Sequence, residues 1–196
     1  MKRILIVLSL ALAFSGAAFA QNDKAQQASA TLQKMRQIDL LNYILPLVMT
    51  KEQIRKLLPA IELARRDVKT QEAEEQKLIG EKAAAVDKAV KDGVDKGDVP
   101  DKQFLKELNA LIRFMSMKRD AIANDNTDKV LEAMKTTLNA GQLKAAGNSL
   151  NPRVFDSSIK VEEMKDDDRL RLFVREIMLD PLAYDLLVRI QAGQRG

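Results

Sequence analysis

Chemistry in this chain would have to be done by carboxylates, lysines, hydroxyl groups and two tyrosines, because it holds neither cysteine nor histidine. Without thiolate or imidazole it cannot assemble a structural zinc site, a Ser-His or Cys-His nucleophile, or a disulfide. Acid–base work by paired carboxylates is what remains. The pairs Glu72 with Glu75 and Glu162 with Glu163 sit among lysines on polar stretches, which is the setting of a solvated face. Asp92, Asp95, Asp98 and Asp101 are spaced as if for calcium, but the twelve-residue ligand order with its closing Glu is missing. Asp166, Asp167 and Asp168 read instead as the acidic first turn of a helix, where they meet the positive end of the helix dipole. The expectation is a binding protein without catalytic groups, metal or cofactor.

The first residues carry an address. Lys2 and Arg3 precede an apolar run from Ile4 to Phe14 and then small residues ending in Ala18, Phe19 and Ala20, the order of a cleavable signal peptide over residues 1–20. The run is short for a membrane span, no cysteine offers a lipid anchor, and no second apolar segment is long enough to cross a bilayer. These features predict export to the periplasm with no integral membrane segment after cleavage. Loss of Lys2 and Arg3 lowers the formal net charge from +4 to +2. The remaining charges are interspersed, and no basic tract with interleaved aromatics suggests nucleic acid.

The elements that would position any site are helices. Ala, Leu, Lys, Glu, Gln and Met dominate, and few segments alternate as strands do. A first helix is expected over Ala25–Val48, with Leu32, Met35, Leu41, Ile44, Leu45 and Val48 at helical spacings and Pro46 disturbing its last turn. A second is expected from Lys51 towards Asp92, about 60 Å long. Its stripe would be Ile54, Leu58, Ile61, Val68, Ile79, Val86 and Val90, with Arg65 and Glu72 intruding and the polar run Lys69–Lys77 outside any deep core. Pro59 lies off that stripe and predicts a kink, two separate helices being the alternative. Gly93–Asp101 is a loop, the tip of a helical hairpin. The return helix, Lys102–Leu138, would pack through Phe104, Leu108, Leu111, Met115, Ile122 and Leu138, with Asp125, Asn126 and Thr127 weakening its middle.

Two short stretches look like corners. In "MTKEQI", Thr50 is placed to cap a helix starting at Lys51, Gln53 stands at the third helical position, and Met49 and Ile54 are spaced as a hydrophobic staple. "LNAGQL" repeats the design with Asn139 as cap, Gln142 at the third position, and Leu138 with Leu143 as the staple.

The export signal, the absence of cysteine, the long helices and these two corners together resemble the Spy/CpxP family of periplasmic proteins, which carry two L-T-x-x-Q motifs. The resemblance covers about Leu32 to Leu150, with Met49 in place of the first leucine and Asn139 in place of the second threonine. It implies an all-α, cradle-like subunit built on a long kinked helical hairpin, which pairs into a homodimer. It also implies ATP-independent chaperone action on unfolded or partly folded envelope proteins, within the envelope stress response. The family's metal-binding branch relies on His-rich segments that this chain lacks. An envelope-stress signalling adaptor, or a structural helical protein with one dedicated partner, is the alternative.

The residues suggest where clients would bind. Ala110, Arg113, Phe114, Met117 and Ala121 lie on one strip of the return helix, outside its packing stripe. Adaptable apolar side chains beside a positive charge suit weak binding of many shapes. The same strip would equally serve as a contact with another helix or with a dimer partner. Beyond Leu150 the chain departs from the family pattern, so it divides into residues 21–150 and a C-terminal extension, residues 151–196. The extension is expected to form a helical hairpin, its second arm starting at Asp180-Pro181 and carrying Leu182, Leu186, Leu187 and Ile190.

Overall fold

The structure is a computed structural model that describes residues 19–154 and 157–193, with side-chain environments from residue 26. The expected signal peptide lies, as far as residue 18, outside the described residues. Among the described residues there are helices and turns and no strand, so the fold is all-α. The helices are α1 (Phe19–Ile44), α2 (Lys51–Gly80), α3 (Ala83–Lys96), α4 (Lys102–Thr137), α5 (Ala140–Ser149), α6 (Asp166–Phe173) and α7 (Ala183–Gly193). No helix among the described residues is long and apolar enough to cross a membrane.

Contacts divide the chain into two units between Ile38 and Asp39. In the first unit Leu32, Met35 and Ile38 are exposed, so the N-terminal part of α1 does not use them as a packing face. In the second unit the end of α1 is buried through Leu40 and Ile44, followed by Leu47 in a 3₁₀ turn, Leu45–Leu47, that carries Pro46 near its start. Helix α1 therefore stops at Ile44, short of the expected Val48. Val48 is 80% exposed and left-handed, with φ of 47°, a costly conformation for a β-branched residue. It turns the chain towards α2.

Helix α2 passes through Pro59 without a break. Pro59 is exposed, so the carbonyl of Arg55 that its missing N–H leaves unpaired sits on the solvent side. The interruption comes later than Pro59 and earlier than the expected end at Asp92. At Glu81 and Lys82 the hydrogen bonding tightens, with Lys82 N–H donating to the Ile79 carbonyl at 3.0 Å, before α3 resumes. Gly80, a poor helix former with open space where a Cβ would stand, adjoins it. Gly97, with φ of 74°, ends α3 in the left-handed cap that glycine favours.

Helices α2 and α4 run antiparallel, as their cross-links show. Asn126 Nδ2 donates to the Ala64 carbonyl at 3.2 Å, Lys129 reaches Asp67 at 3.2 Å, Arg119 meets Glu75, and Lys82 of the turn reaches Glu107 at 3.6 Å. The core occupies the end of this pair nearer the corners. Ile54, Leu57, Ile61 and Ala64 of α2 share the buried core with Val130, Leu131 and Met134 of α4 and with Leu138 just beyond its end. The stripe on α2 thus follows a three–four spacing that continues into Gln71 and Glu75, which are 5% and 7% exposed. Ile79 and Val90, expected on it, are exposed instead, and Val68 holds a stripe position but is partly exposed. Polar residues at stripe positions hid the register, and Lys69–Lys77 contributes two buried side chains rather than none. On α4, Asn126 and Thr127 are buried inside an unbroken helix, while Phe104, Leu108, Leu111 and Ile122 of the expected face are half-buried.

The C-terminal residues complete the same core. Leu170 and Phe173 of α6, Val174, Ile177 and Met178 of a π turn (Val174–Met178), and Leu186 and Leu187 of α7 are buried in one cluster with α2, α4 and α5. Arg65 of α2 lies over the Tyr184 ring, 4.6 Å from its centroid, and reaches Asp185 at 3.4 Å. The α6 side is tied by Lys135 to Asp167 at 2.7 Å and by an Arg171–Asp128 ion pair. Helix α7 begins at Ala183, two residues after Pro181, while the Asp180 carboxylate accepts from Leu182 N–H at 2.9 Å.

Candidate functional site

The two corners form as their residue types predict. Gln53 N–H donates to Thr50 Oγ1 at 3.2 Å, and Gln53 Oε1 accepts from Thr50 N–H at 3.0 Å. At the second corner Gln142 N–H donates to Asn139 Oδ1 at 3.0 Å, and Gln142 Oε1 accepts from Asn139 N–H at 3.0 Å. Met49, Ile54 and Leu138 are buried, and Leu143 packs half-buried on the same core, as the two staples require.

Beyond these expectations, the corners grip each other. Gln53 Nε2 donates to Gln142 Oε1 at 2.8 Å and Gln142 Nε2 donates to Gln53 Oε1 at 3.1 Å. Each amide then spends its second donor on the chain entering the opposite corner, Gln53 on the Thr137 carbonyl at 3.2 Å and Gln142 on the Leu47 carbonyl at 2.9 Å. Both carboxamides are fully used, which matters because they are half-buried and an unpaired polar group there would be costly. The repeated T/N-x-x-Q spacing was the available signal for this clasp.

Further along the pair, Arg119 donates to both carboxylate oxygens of Glu75, at 2.7 and 2.9 Å from Nε. Gln71 donates to the same carboxylate, and Lys118 pairs with Glu74. The Arg119 guanidinium holds the Glu75 carboxyl below the usual carboxylate range, against the opposing effect of burial, and its own pKa rises in return. Glu75 was expected on a solvated face; it is a buried tie between two helices, while Glu72 is exposed. The aspartates near the loop have local tasks. Asp101 caps α4, accepting from Gln103 N–H at 2.8 Å and Phe104 N–H at 3.1 Å, and Asp92 pairs with Lys96 at 2.7 Å.

The strip on α4 stands open. Phe114 is 54% and Met117 72% exposed, and Ala110, Arg113 and Ala121 are exposed with them. Their spacing of three and four residues puts all five on one face, apart from the buried Met115 and the half-buried Ile122. Ile112 and Leu105 add further exposed apolar surface on α4. Helix α3, which leads into the loop before α4, buries none of its residues and exposes Val90 and Val94. Among the described residues α3 and α4 thus expose several large apolar side chains, as α1 does through Leu32, Met35 and Ile38, whereas the polar groups of the two corner glutamines satisfy one another. No protein-family model, curated protein or solved structure matches this chain.

Proposed function

We propose that this is an exported, ATP-independent chaperone-like protein that holds unfolded or partly folded envelope proteins on the open face of α4. The observation that carries this reading is the exposure of Phe114 and Met117 beside Arg113 on α4. Apolar groups left in water at this density mark a surface that meets something. Methionine and phenylalanine beside a cation provide soft contact and charge attraction without the shape selectivity of a deep pocket. The corners support the reading as scaffold, since the glutamine clasp fixes the hairpin base while the distal part stays open. On this reading the protein acts in the periplasm, pairs into a homodimer and performs no catalysis, as its likeness to Spy/CpxP proteins implies.

Light scattering tests it. Purified mature protein, without nucleotide, is expected to suppress aggregation of several unrelated unfolding proteins at near-stoichiometric ratios. Failure on all of them overturns the proposal. Capture of one specific envelope protein, with no effect on unrelated clients, would identify a dedicated adaptor instead.

A further inference from the structure

Where the core ends, the helices part around a hollow of about 370 Å³, within the size range of small-ligand pockets. Ala64 and Val68 of α2, Ala123 of α4, and Leu179 and Pro181 of the C-terminal segment form apolar walls. Val68 lies on the packing stripe of α2 and is nevertheless 41% exposed, because the hollow faces it.

Asn126 also lines the hollow. Its residue is 1% exposed, its Nδ2 is spent on the Ala64 carbonyl at 3.2 Å, and its Oδ1 is buried with no hydrogen-bond partner. Because Nδ2 is committed, the free group is an acceptor, and leaving it unmade carries a desolvation cost. The wall opposite includes the π turn, in which Leu179 N–H donates to the Val174 carbonyl at 2.9 Å. Such turns occur often at functional sites. Lys69, Arg65 and Arg175 line the same hollow with a single carboxylate, Glu72. Arg65 is paired with Glu62 at 3.5 Å and Asp185 at 3.4 Å, and Arg175 with Glu176 at 3.4 Å, so the site combines an apolar volume, one hydrogen-bond acceptor and the ammonium of Lys69 at its rim.

We infer that this hollow captures the carboxy-terminal residue of a peptide chain ending in an apolar side chain. That residue carries, within one unit, the three groups that the site complements. The side chain fills the apolar volume, the amide N–H donates to Asn126 Oδ1, and the terminal carboxylate lies against Lys69. Arg65, held by Glu62, Asp185 and the Tyr184 ring, takes no part in the contact. The site is separate from the α4 strip and does not depend on the chaperone reading.

Calorimetric titration of the mature protein with a tri-alanyl-phenylalanine peptide tests this inference. Saturable binding is expected, weakened about tenfold when the peptide's carboxyl is amidated and about tenfold in Lys69→Glu, whose side chain is on the surface. Ala123→Phe, which fills the hollow, is expected to abolish binding, and a Phe114→Ser/Met117→Ser variant to leave it unchanged. Absence of saturable binding, equal affinity for the amidated peptide, or wild-type binding by Ala123→Phe overturns the inference. Circular dichroism checks that Ala123→Phe is folded; if it is not, the Lys69→Glu and amidation results decide.

Discussion

Gln53 and Gln142 stand 89 residues apart in the chain and donate to each other's side-chain oxygens at 2.8 and 3.1 Å. Each also completes its own capping box and binds a carbonyl on the far corner. The two helix starts are thereby one structural unit, so that disturbing either cap loosens the other.

This predicts non-additive energetics. Gln53→Ala and Gln142→Ala should each cost about 1–2 kcal/mol, since each removes a local cap bond and a cross-corner bond. The double variant should cost less than their sum by about 1 kcal/mol, measured by urea unfolding in a double-mutant cycle. Strict additivity would mean that the clasp does not form.

Val48 and Thr50 at the first corner should respond in opposite directions. Thr50→Ala removes the cap acceptor and should cost about 1 kcal/mol. Val48→Asn places a residue tolerant of positive φ where an exposed β-branched one now sits, and should raise stability by up to about 1 kcal/mol. Urea midpoints of the two variants, shifted down and up respectively, are the check.

Glu75 should make the α2–α4 pair acid-sensitive. Its carboxyl is held below the usual range by Arg119 when folded and returns to that range on unfolding. The stabilisation is thus present above the unfolded-state pKa and disappears as pH falls through the folded-state value. Glu75→Gln should lose stability near neutral pH and flatten the dependence on acidification over the range that begins at the ordinary carboxylate value and runs below it. Thermal melts of both proteins across that interval read the difference. An equally steep acid limb in Glu75→Gln would remove Glu75 as its source.

Phe173 reports whether the C-terminal segment is part of the core. It is fully buried in the cluster that contains Ile54, Leu57 and Met134. Phe173→Ala should therefore cost about 3–5 kcal/mol, and truncation after Leu150 should leave a protein without a cooperative melting transition. A truncated chain that melts as sharply as the full one would make the segment an accessory.

The corners were legible in the sequence because capping is local: a hydroxyl or amide, a glutamine three residues on, and flanking apolar residues are enough to specify them. Their grip on each other was not, since nothing within either stretch says which distant carbonyl a spare N–H will meet. The register of α2 was obscured for another reason. Gln71 and Glu75 occupy packing positions and are satisfied by each other and by Arg119, so a reading that equates burial with apolar character shifts the stripe onto Leu58 and Ile79. Asn126 and Thr127 misled in the same way on α4. The strip at Phe114 and Met117 was readable from spacing alone, because an apolar residue outside the packing face has little choice but to be exposed or covered by a partner. The hollow was not readable, as it depends on where the C-terminal segment docks.

If the open face of α4 holds unfolded chains, its exposed apolar side chains are needed for that activity. Wild type and Phe114→Ser/Met117→Ser are to be compared in the aggregation assay. Both side chains are exposed, so the variant should keep the wild-type melting temperature while losing most of its suppression of several unrelated clients. A folded variant that suppresses aggregation as well as wild type would rule out the α4 face as the client surface.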